Sequence, residues 1–463
     1  MRFSLRRPGV GLSMLLLAAL PLAVTHALAP QDAFPAAAAS AVPPADLPAA
    51  TGSTSPAASS RVDLEDIRNF SRVYEVVRQA YVEKVDDKTL MTAAIEGMLS
   101  GLDPHSEYLD REGLDQLSEE TTGEYAGLGV EVLQTDDGLQ VVSPIDDTPA
   151  ARAGIKPGDA IVKVDGKLVD SENVSEMFNK LRGAPGTKIT LTIVHQGSDK
   201  LVDMPLVREN ISVSSIKVRE LEPGYAWLRI SQFQEDTADD LARKLDELIA
   251  KNGVQKGAVL DLRSNPGGLL TAAVGVSDNF LDSGTIVTTR GRLRDANMSF
   301  TAHPGDQLNG APMIVLTDNG TASAAEIVSG ALKDNHRALI MGQRSFGKGV
   351  VQTVLPLDTD HAVKITTARY YTPNGTSIQA EGIKPDIALA DLTVNEADRG
   401  PALISSEADL PNHLANENAG ATTNINDDGS AADGKLATSD YALSQALNVL
   451  KGMVLRQPAS AKH

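Results

Sequence analysis

Two short apolar runs constrain this chain more than anything else in it. Gly257-Ala258-Val259-Leu260-Asp261-Leu262 and Met313-Ile314-Val315-Leu316-Thr317 are nearly continuous in apolar residues. A strand with one wet face alternates polar and apolar residues, whereas a strand covered on both faces does not. Tyr225-Ala226-Trp227-Leu228-Arg229-Ile230 is a further strand. Asp239 to Ala250 has helical spacing, and a second helical run covers Glu326 to Leu332. Repeated strand–turn–helix units between about 211 and 390 predict an α/β core with parallel pairing.

Three further regions precede this core. Arg2, Arg6 and Arg7 stand before an apolar run from Val10 to Val24, and Ala27-Leu28-Ala29 offers small residues at a cleavage site. That is the layout of a secretory signal over 1–29, so export to the periplasm or beyond is expected. Pro30 is a poor residue after a cut, which leaves open an uncleaved, membrane-tethering segment. Residues 30–60 are rich in Ala, Pro and Ser and read as a flexible linker. Residues 61–121 carry helical spacing through Ile67, Phe70, Val73, Val77 and Tyr81, and again through Leu90, Ala94 and Met98. Apolar faces on small helices need a cover, so contact with a second subunit is expected there.

Residues 122–208 read as a compact α/β module with strands near 129–133, 139–142, 160–164 and 189–194 and a helix near 175–181. The core spans 209–390. An acidic segment, 391–437, lacks core-forming residues and is expected to be disordered. Helical spacing returns in 438–463 through Leu443, Ala446, Leu447, Leu450 and Val454, a helix that would dock back or pair between subunits.

Composition excludes several chemistries. The 463 residues carry a net charge of -19, which disfavours a nucleic-acid partner. There is no cysteine, so disulfides, thiolate metal sites and cysteine nucleophiles are out. No cluster with metal-ligand spacing stands out among the histidines, and no cofactor is expected.

What remains is a serine and a lysine. Ser323, in Thr321-Ala322-Ser323-Ala324-Ala325-Glu326, lies at a strand-to-helix junction, near the positive end of a helix dipole. Lys348 is flanked by Gly347 and Gly349, where the backbone can approach closely. To act as a base it must be neutral, a fall of roughly 3 units from a reference near 10.4, or about 4 kcal/mol. Gln352 lies four positions on, and on an extended strand even spacing would put both side chains on one face. Asn265-Pro266-Gly267-Gly268 ends a buried strand, and its N–H groups could form an oxyanion hole with that of Ala324. Each piece has an ordinary alternative: an N-cap serine, a solvated loop lysine, a surface glutamine, a plain turn. Gly342-Gln343-Arg344-Ser345-Phe346-Gly347-Lys348 imitates a phosphate-binding loop, but Gly349 stands where Ser or Thr is needed, and a strand follows rather than a helix. In the middle module, Gly127-Leu128-Gly129-Val130 could cradle a carboxylate beside a strand edge open to a peptide.

Together these segments resemble the C-terminal processing peptidases, tail-specific serine proteases with a Ser/Lys dyad and a PDZ domain. The resemblance runs from about Val62 to Asp386. Asp103-Pro104-His105-Ser106 resembles the segment before the PDZ domain. Gly127-Leu128-Gly129-Val130, Ala153-Gly154-Ile155-Lys156-Pro157-Gly158-Asp159 and Leu181-Arg182-Gly183-Ala184-Pro185-Gly186-Thr187 resemble the PDZ domain itself. Asp261 to Gly268 resembles the oxyanion-hole strand. Ala325 departs from a serine often found there. The resemblance implies a crotonase/Clp-like α/β protease core with an inserted PDZ domain and helical terminal regions. It implies Ser323 as nucleophile, Lys348 as base, Gln352 as its orienter, and Gly267, Gly268 and Ala324 around the oxyanion. It implies Gly127 to Val130 as the peptide-binding loop and Arg182 as a gating residue. Expected partners are unfolded or apolar C-terminal tails, with an adaptor protein and a dimer through the terminal helices left open. A PDZ adaptor with an inactive protease domain and a histidine-dependent esterase are the competing readings.

Overall fold

The computed structural model describes residues 62–135, 138–390, 392 and 436–456. The expected signal, the 30–60 linker and most of the acidic segment lie outside the described residues. The described residues fall into two compact units, 62–104 and His105 onward.

The first unit is a pair of helices, Leu64–Ala80 and Asp87–Ser100. Each starts at an aspartate that accepts a backbone N–H of the first turn: Asp63 from Glu65 (3.1 Å) and Asp86 from Thr89 (3.0 Å). No residue of the first helix is buried, and Phe70, Val73 and Tyr81 are about half exposed or more.

The second unit begins with a short strand, Glu107–Leu109, and the helix Arg111–Thr122. A two-stranded ribbon, Glu124–Gly127 against Glu209–Ser212, then frames the entry and exit of the middle module. That module holds an antiparallel sheet in the order 130–135, 138–144, 160–164, 188–194, 201–207, with the helix Val174–Lys180. Leu128, Val141, Ile161, Met177, Leu191 and Ile193 form its core. Val130–Thr135 is an edge strand, paired on one side only.

The core is a six-stranded sheet. Ile216–Glu222 pairs antiparallel with Tyr225–Ile230. Parallel neighbours follow: Gly257–Asp261, Met313–Thr317, Leu339–Gly342 and Ile387–Ala388. Every residue of the two apolar runs within the sheet is buried. On one face, Leu260 and Val315 pack in the main cluster with Leu241 and Leu245 of Thr237–Asn252, Val276 of Leu270–Asp278 and Val328 of Ala324–Asp334. On the other, Val259, Ile314, Leu316 and Met341 meet Leu443, Ala446 and Leu450 of the helix Tyr441–Arg456. The continuous apolar pattern thus has its cause in helices on both faces. The last helix docks back on its own sheet, burying leucines worth about 1.5–3 kcal/mol each. Its apolar face is therefore occupied within the chain.

An antiparallel sheet flanks this core. Its longest strand, Ala362–Tyr371, pairs with Glu107–Leu109, Thr285–Gly291 and Val350–Pro356.

Candidate active site

Each apolar strand delivers a turn at its carboxyl end. Asp261 and Arg263 fix the first. The Arg263 guanidinium donates to both oxygens of Asp261 (2.9 and 2.6 Å) and to both of Asp440 (2.9 and 2.7 Å). Trp227 Nε1 also donates to Asp261, at 3.2 Å. Beyond Arg263 the chain turns through Ser264 to Gly268. Asn265 is fully buried there: its Nδ2 donates to Ile230 O (2.9 Å), and its main-chain carbonyl accepts the Ala322 N–H (2.9 Å).

That last bond ties the first turn to the second, which holds Ser323. Ser323 has φ 53 and ψ -116, a conformation that costs a non-glycine residue about 1–3 kcal/mol. It ends the turn and opens the helix Ala324–Asp334, which is buried through Leu332. A side chain at Gly267 would strike the Ser323 Cβ, so the turn lies directly against the serine.

Lys348 arrives from the other side. Its loop is held by the passing segment around 378–382: the Ala380 N–H donates to Gly347 O (2.8 Å), and the Gly349 N–H donates to Gln379 Oε1 (2.7 Å). Ser323, Lys348, Gln352, Gly267, Gly268 and Ala324 line a single cavity of about 490 Å³.

Glu326 joins the two halves. It is fully buried, one turn into the helix. Its Oε2 accepts the main-chain N–H of Ser323 (2.8 Å) and of Lys348 (2.9 Å). Its Oε1 accepts from Gly347 N (2.7 Å) and Ser345 Oγ (2.6 Å). Burial pushes this carboxyl above the ordinary glutamate value, against the pull of its four donors. Tyr370, also buried, faces the same pair with its hydroxyl 3.1 Å from Ser323 O and hydrogen-bonded to Lys348 O. Burial, with the neighbouring Glu326 charge, pushes the phenol well above its ordinary value. Neither residue was singled out from the sequence. Glu326 had a local signal, since Ser-x-x-Glu is a capping-box pattern. Tyr370 had none.

Two sequence arguments meet different geometry. The strand carrying Gln352 begins at Val350, after Lys348, and its register shifts between Val351 and Gln352. Even spacing from 348 to 352 therefore does not fix a shared face. The Gln352 amide donates to Thr366 Oγ1 at 3.3 Å, while the residue still lines the cavity. The Gly267 N–H donates to Asn265 Oδ1 (2.9 Å), which leaves the N–H groups of Gly268 and Ala324 with no acceptor among the described residues.

In the middle module, Leu128 is buried and its carbonyl accepts from Ala150 N (2.9 Å). No hydrogen bond among the described residues uses the N–H of Leu128 or Gly129. Gly127 pairs in the ribbon with Glu209, and Val130 opens the edge strand. Arg182 lies outside the cavity. Its Nη1 donates to Glu119 Oε2 (2.6 Å), its guanidinium stacks over the Tyr125 ring, and its side chain is 8% exposed. His361 bonds Asp358 at a hairpin tip and does not line the cavity that holds Ser323. No group of three or more metal-ligating residues occurs among the described residues.

Comparison with known proteins gives this arrangement its family. Residues 224–389 match Peptidase family S41, 126–206 match the PDZ domain, and 42–113 match the N-terminal domain of the activating protease CtpB. A carboxy-terminal-processing protease of Bartonella bacilliformis is 44% identical over 396 residues, covering 84% of this chain and 89% of that protein. The carboxy-terminal processing protease CtpA of Bacillus subtilis is 35% identical over 319 residues, covering 69% of this chain and 68% of its own length. Among solved structures, the photosystem II D1 C-terminal processing protease is 30% identical, covers 71% of this chain and 94% of that one, and has a TM-score of 0.41. The chain belongs to peptidase family S41, as a serine-type carboxy-terminal processing protease with a PDZ domain inserted before its α/β core.

Proposed function

We propose that the chain is an exported endopeptidase that captures C-terminal tails on its PDZ domain and cleaves them with Ser323 and Lys348. The observation that carries this reading is the shared carboxylate: Ser323 and Lys348 hang their main-chain N–H groups on one oxygen of Glu326 and open into one cavity. Neutral Lys348 takes the proton of the Ser323 hydroxyl as its oxygen attacks the scissile carbonyl. The N–H groups of Gly268 and Ala324 stabilise the oxyanion. The lysine ammonium then protonates the departing amine, and the acyl-enzyme remains. Water, deprotonated by Lys348, releases the acyl group and restores the serine. Gln352 holds the lysine side of the cavity. Gly267 serves by its fit against Ser323, its own N–H being engaged by Asn265.

Tail capture rests on the open edge Val130–Thr135 and on the unused N–H groups of Leu128 and Gly129, which suit an added strand ending in a carboxylate. Gly127 holds the base of that loop. Arg182 links tail binding to the active site through Glu119, whose helix supplies Leu117, Glu120 and Thr121 to the cavity wall. The unburied apolar face of Leu64–Ala80 supports a homodimer, and an adaptor would act by presenting substrates to the tail-binding module. Export rests on the basic and apolar pattern of residues 1–29.

The test is cleavage of an unfolded reporter with an apolar C-terminal tail. Ser323→Ala and Lys348→Ala should each abolish it, while a tail peptide still binds. Activity retained in Lys348→Ala would return the histidine-dependent reading. Tail binding without any cleavage by the intact protein would favour the adaptor.

A further inference from the structure

Glu326 accounts for the amide hydrogens of Ser323 and Lys348, and the carbonyls of the same two residues converge on one phenol. Tyr370 stands on the strand Ala362–Tyr371, where its own N–H donates to Gly349 O at 3.1 Å. From there its side chain, 2% exposed, runs beneath the junction. Its hydroxyl lies 3.1 Å from Ser323 O and contacts Lys348 O. A phenol has one hydrogen, so the two carbonyls share it in a three-centre bond. Ser323 O already accepts the helix N–H groups of Glu326 (2.8 Å) and Ile327 (3.1 Å), so the helix does not need the phenol to cap it. What the hydroxyl adds is a bond across two segments that are otherwise separate in the chain, the start of the nucleophile helix and the lysine loop.

We infer that Tyr370 is a positioning residue for proteolysis: its hydroxyl, shared between the carbonyls of Ser323 and Lys348, fixes the separation of nucleophile and base. The inference rests on the reading of those two residues given above. Glu326 and Tyr370 hold the same pair from opposite polarities, one by accepting two N–H groups and the other by donating to two carbonyls. With both in place, neither residue can shift along or rotate about the contact without breaking a bond. A buried site transmits a misplacement of about 1 Å into roughly a hundredfold loss of rate. Removing the hydroxyl should therefore be felt in chemistry before it is felt in binding.

The experiment compares Tyr370→Phe with the intact protein. Phenylalanine fills the same space and lacks only the oxygen. Expected are an about 10–100-fold fall in kcat on the tailed reporter, an unchanged KM, and an equal fall in labelling of Ser323 by a small fluorophosphonate. The fluorophosphonate reaches the serine without the PDZ domain, so its loss reports on the dyad. Rates are taken per folded molecule, from the gel-filtration peak and circular dichroism. Replacing Tyr370 with 4-aminophenylalanine restores a donor and should restore most of the rate. It also carries the test if the phenylalanine variant does not fold. Wild-type kcat in folded Tyr370→Phe overturns the inference. So does a loss that the amino variant, folded, fails to recover. Lys348→Ala is run beside them. If it stays active, the assignment of the base fails; if it is dead while Tyr370→Phe is fully active, only the role of Tyr370 fails.

Discussion

At the catalytic junction nearly every backbone group has a partner. The N–H groups of Ser323, Gly347 and Lys348 end on Glu326, the Ala322 N–H ends on Asn265 O, and the carbonyls of Ser323 and Lys348 share Tyr370. At the edge of the PDZ domain the opposite holds. Val130–Thr135 is paired on one side only, and Leu128 and Gly129 offer N–H groups that no acceptor among the described residues takes. On the proposed function, the contrast follows from the two tasks. A strained serine and a lysine that must lose its charge persist only where their surroundings over-determine them. A tail-binding edge has to leave its hydrogen bonds for the guest to complete. The two exceptions at the junction, Gly268 and Ala324, are the groups that a reacting carbonyl would complete in its turn.

The largest expected effect breaks the junction. Glu326→Ala removes the acceptor of four donors, two buried and two part-buried; each buried one costs about 1–3 kcal/mol when left unpaired. Proteolysis should fall by at least about a thousandfold, as the two bonds that hold Ser323 and Lys348 to one carboxylate vanish together. Thermal unfolding should shift down by several degrees. Glu326→Gln keeps one acceptor oxygen and turns an NH₂ group toward N–H donors, so its activity should rank between those of the intact protein and Glu326→Ala. A glutamine variant with wild-type kcat would mean that the junction tolerates slack, and the contrast with the PDZ edge would collapse.

The next effect should appear only at the edge. Gly129 has φ 71, and a Cβ there would sit 2.3 Å from the Thr148 side chain. Gly129→Ala must move the loop that presents the free N–H groups. The KM for a tailed reporter should rise about tenfold, the loss of roughly one good hydrogen bond to a charged group. Labelling of Ser323 by a small phosphonate should not change. Kinetics on tailed and untailed substrates separate the outcomes. A fall in phosphonate labelling equal to the rise in KM would show the two regions to be one mechanical unit.

These regions were unequally legible in the sequence. The two buried strands were readable because continuous apolar runs report cover on both faces, and the glycine turn after Leu262 was readable because so few residues fit it. The helix that provides the second cover, Tyr441–Arg456, was readable as a helix, but nothing local said where it docks. The Ser323 and Lys348 segments are visible as small-residue patches, and their partnership follows from resemblance rather than spacing. Glu326 was within reach, since it sits three residues after a helix-capping serine. Tyr370 was not, because its place depends on the register of Val350–Pro356 against Ala362–Tyr371, which shifts between Val351 and Gln352. The same shift undoes the even-spacing argument for Gln352. Asn265 engages the Gly267 N–H through a side-chain turn that a sequence containing Asn-Pro-Gly suggests only in hindsight.

The smallest expected effect tests how far the fixed character of the junction extends. Asp440 caps the last helix through the Leu443 N–H (3.0 Å) and grips Arg263, the residue that leads into the turn beside Ser323. Burial alone would raise its carboxyl; the hydrogen bonds and charge of Arg263 outweigh that and hold it below the ordinary 3.8. A carboxyl depressed by folding stabilises the native state above its unfolded value, and that contribution fades as pH falls through the folded value. Both side chains are about a quarter exposed, so the pair contributes about 1 kcal/mol rather than the larger sums of dry ion pairs. Asp440→Asn should therefore lower the melting temperature by about 2–4 °C at pH 7, and this difference should shrink progressively as pH falls below 3.8 and through the depressed folded value. The kcat should change less than about threefold, because Asp261 still holds Arg263 at 2.9 and 2.6 Å. A tenfold loss of kcat at pH 7 would extend the rigid junction to the last helix of the chain and make that helix part of the apparatus that fixes the oxyanion turn.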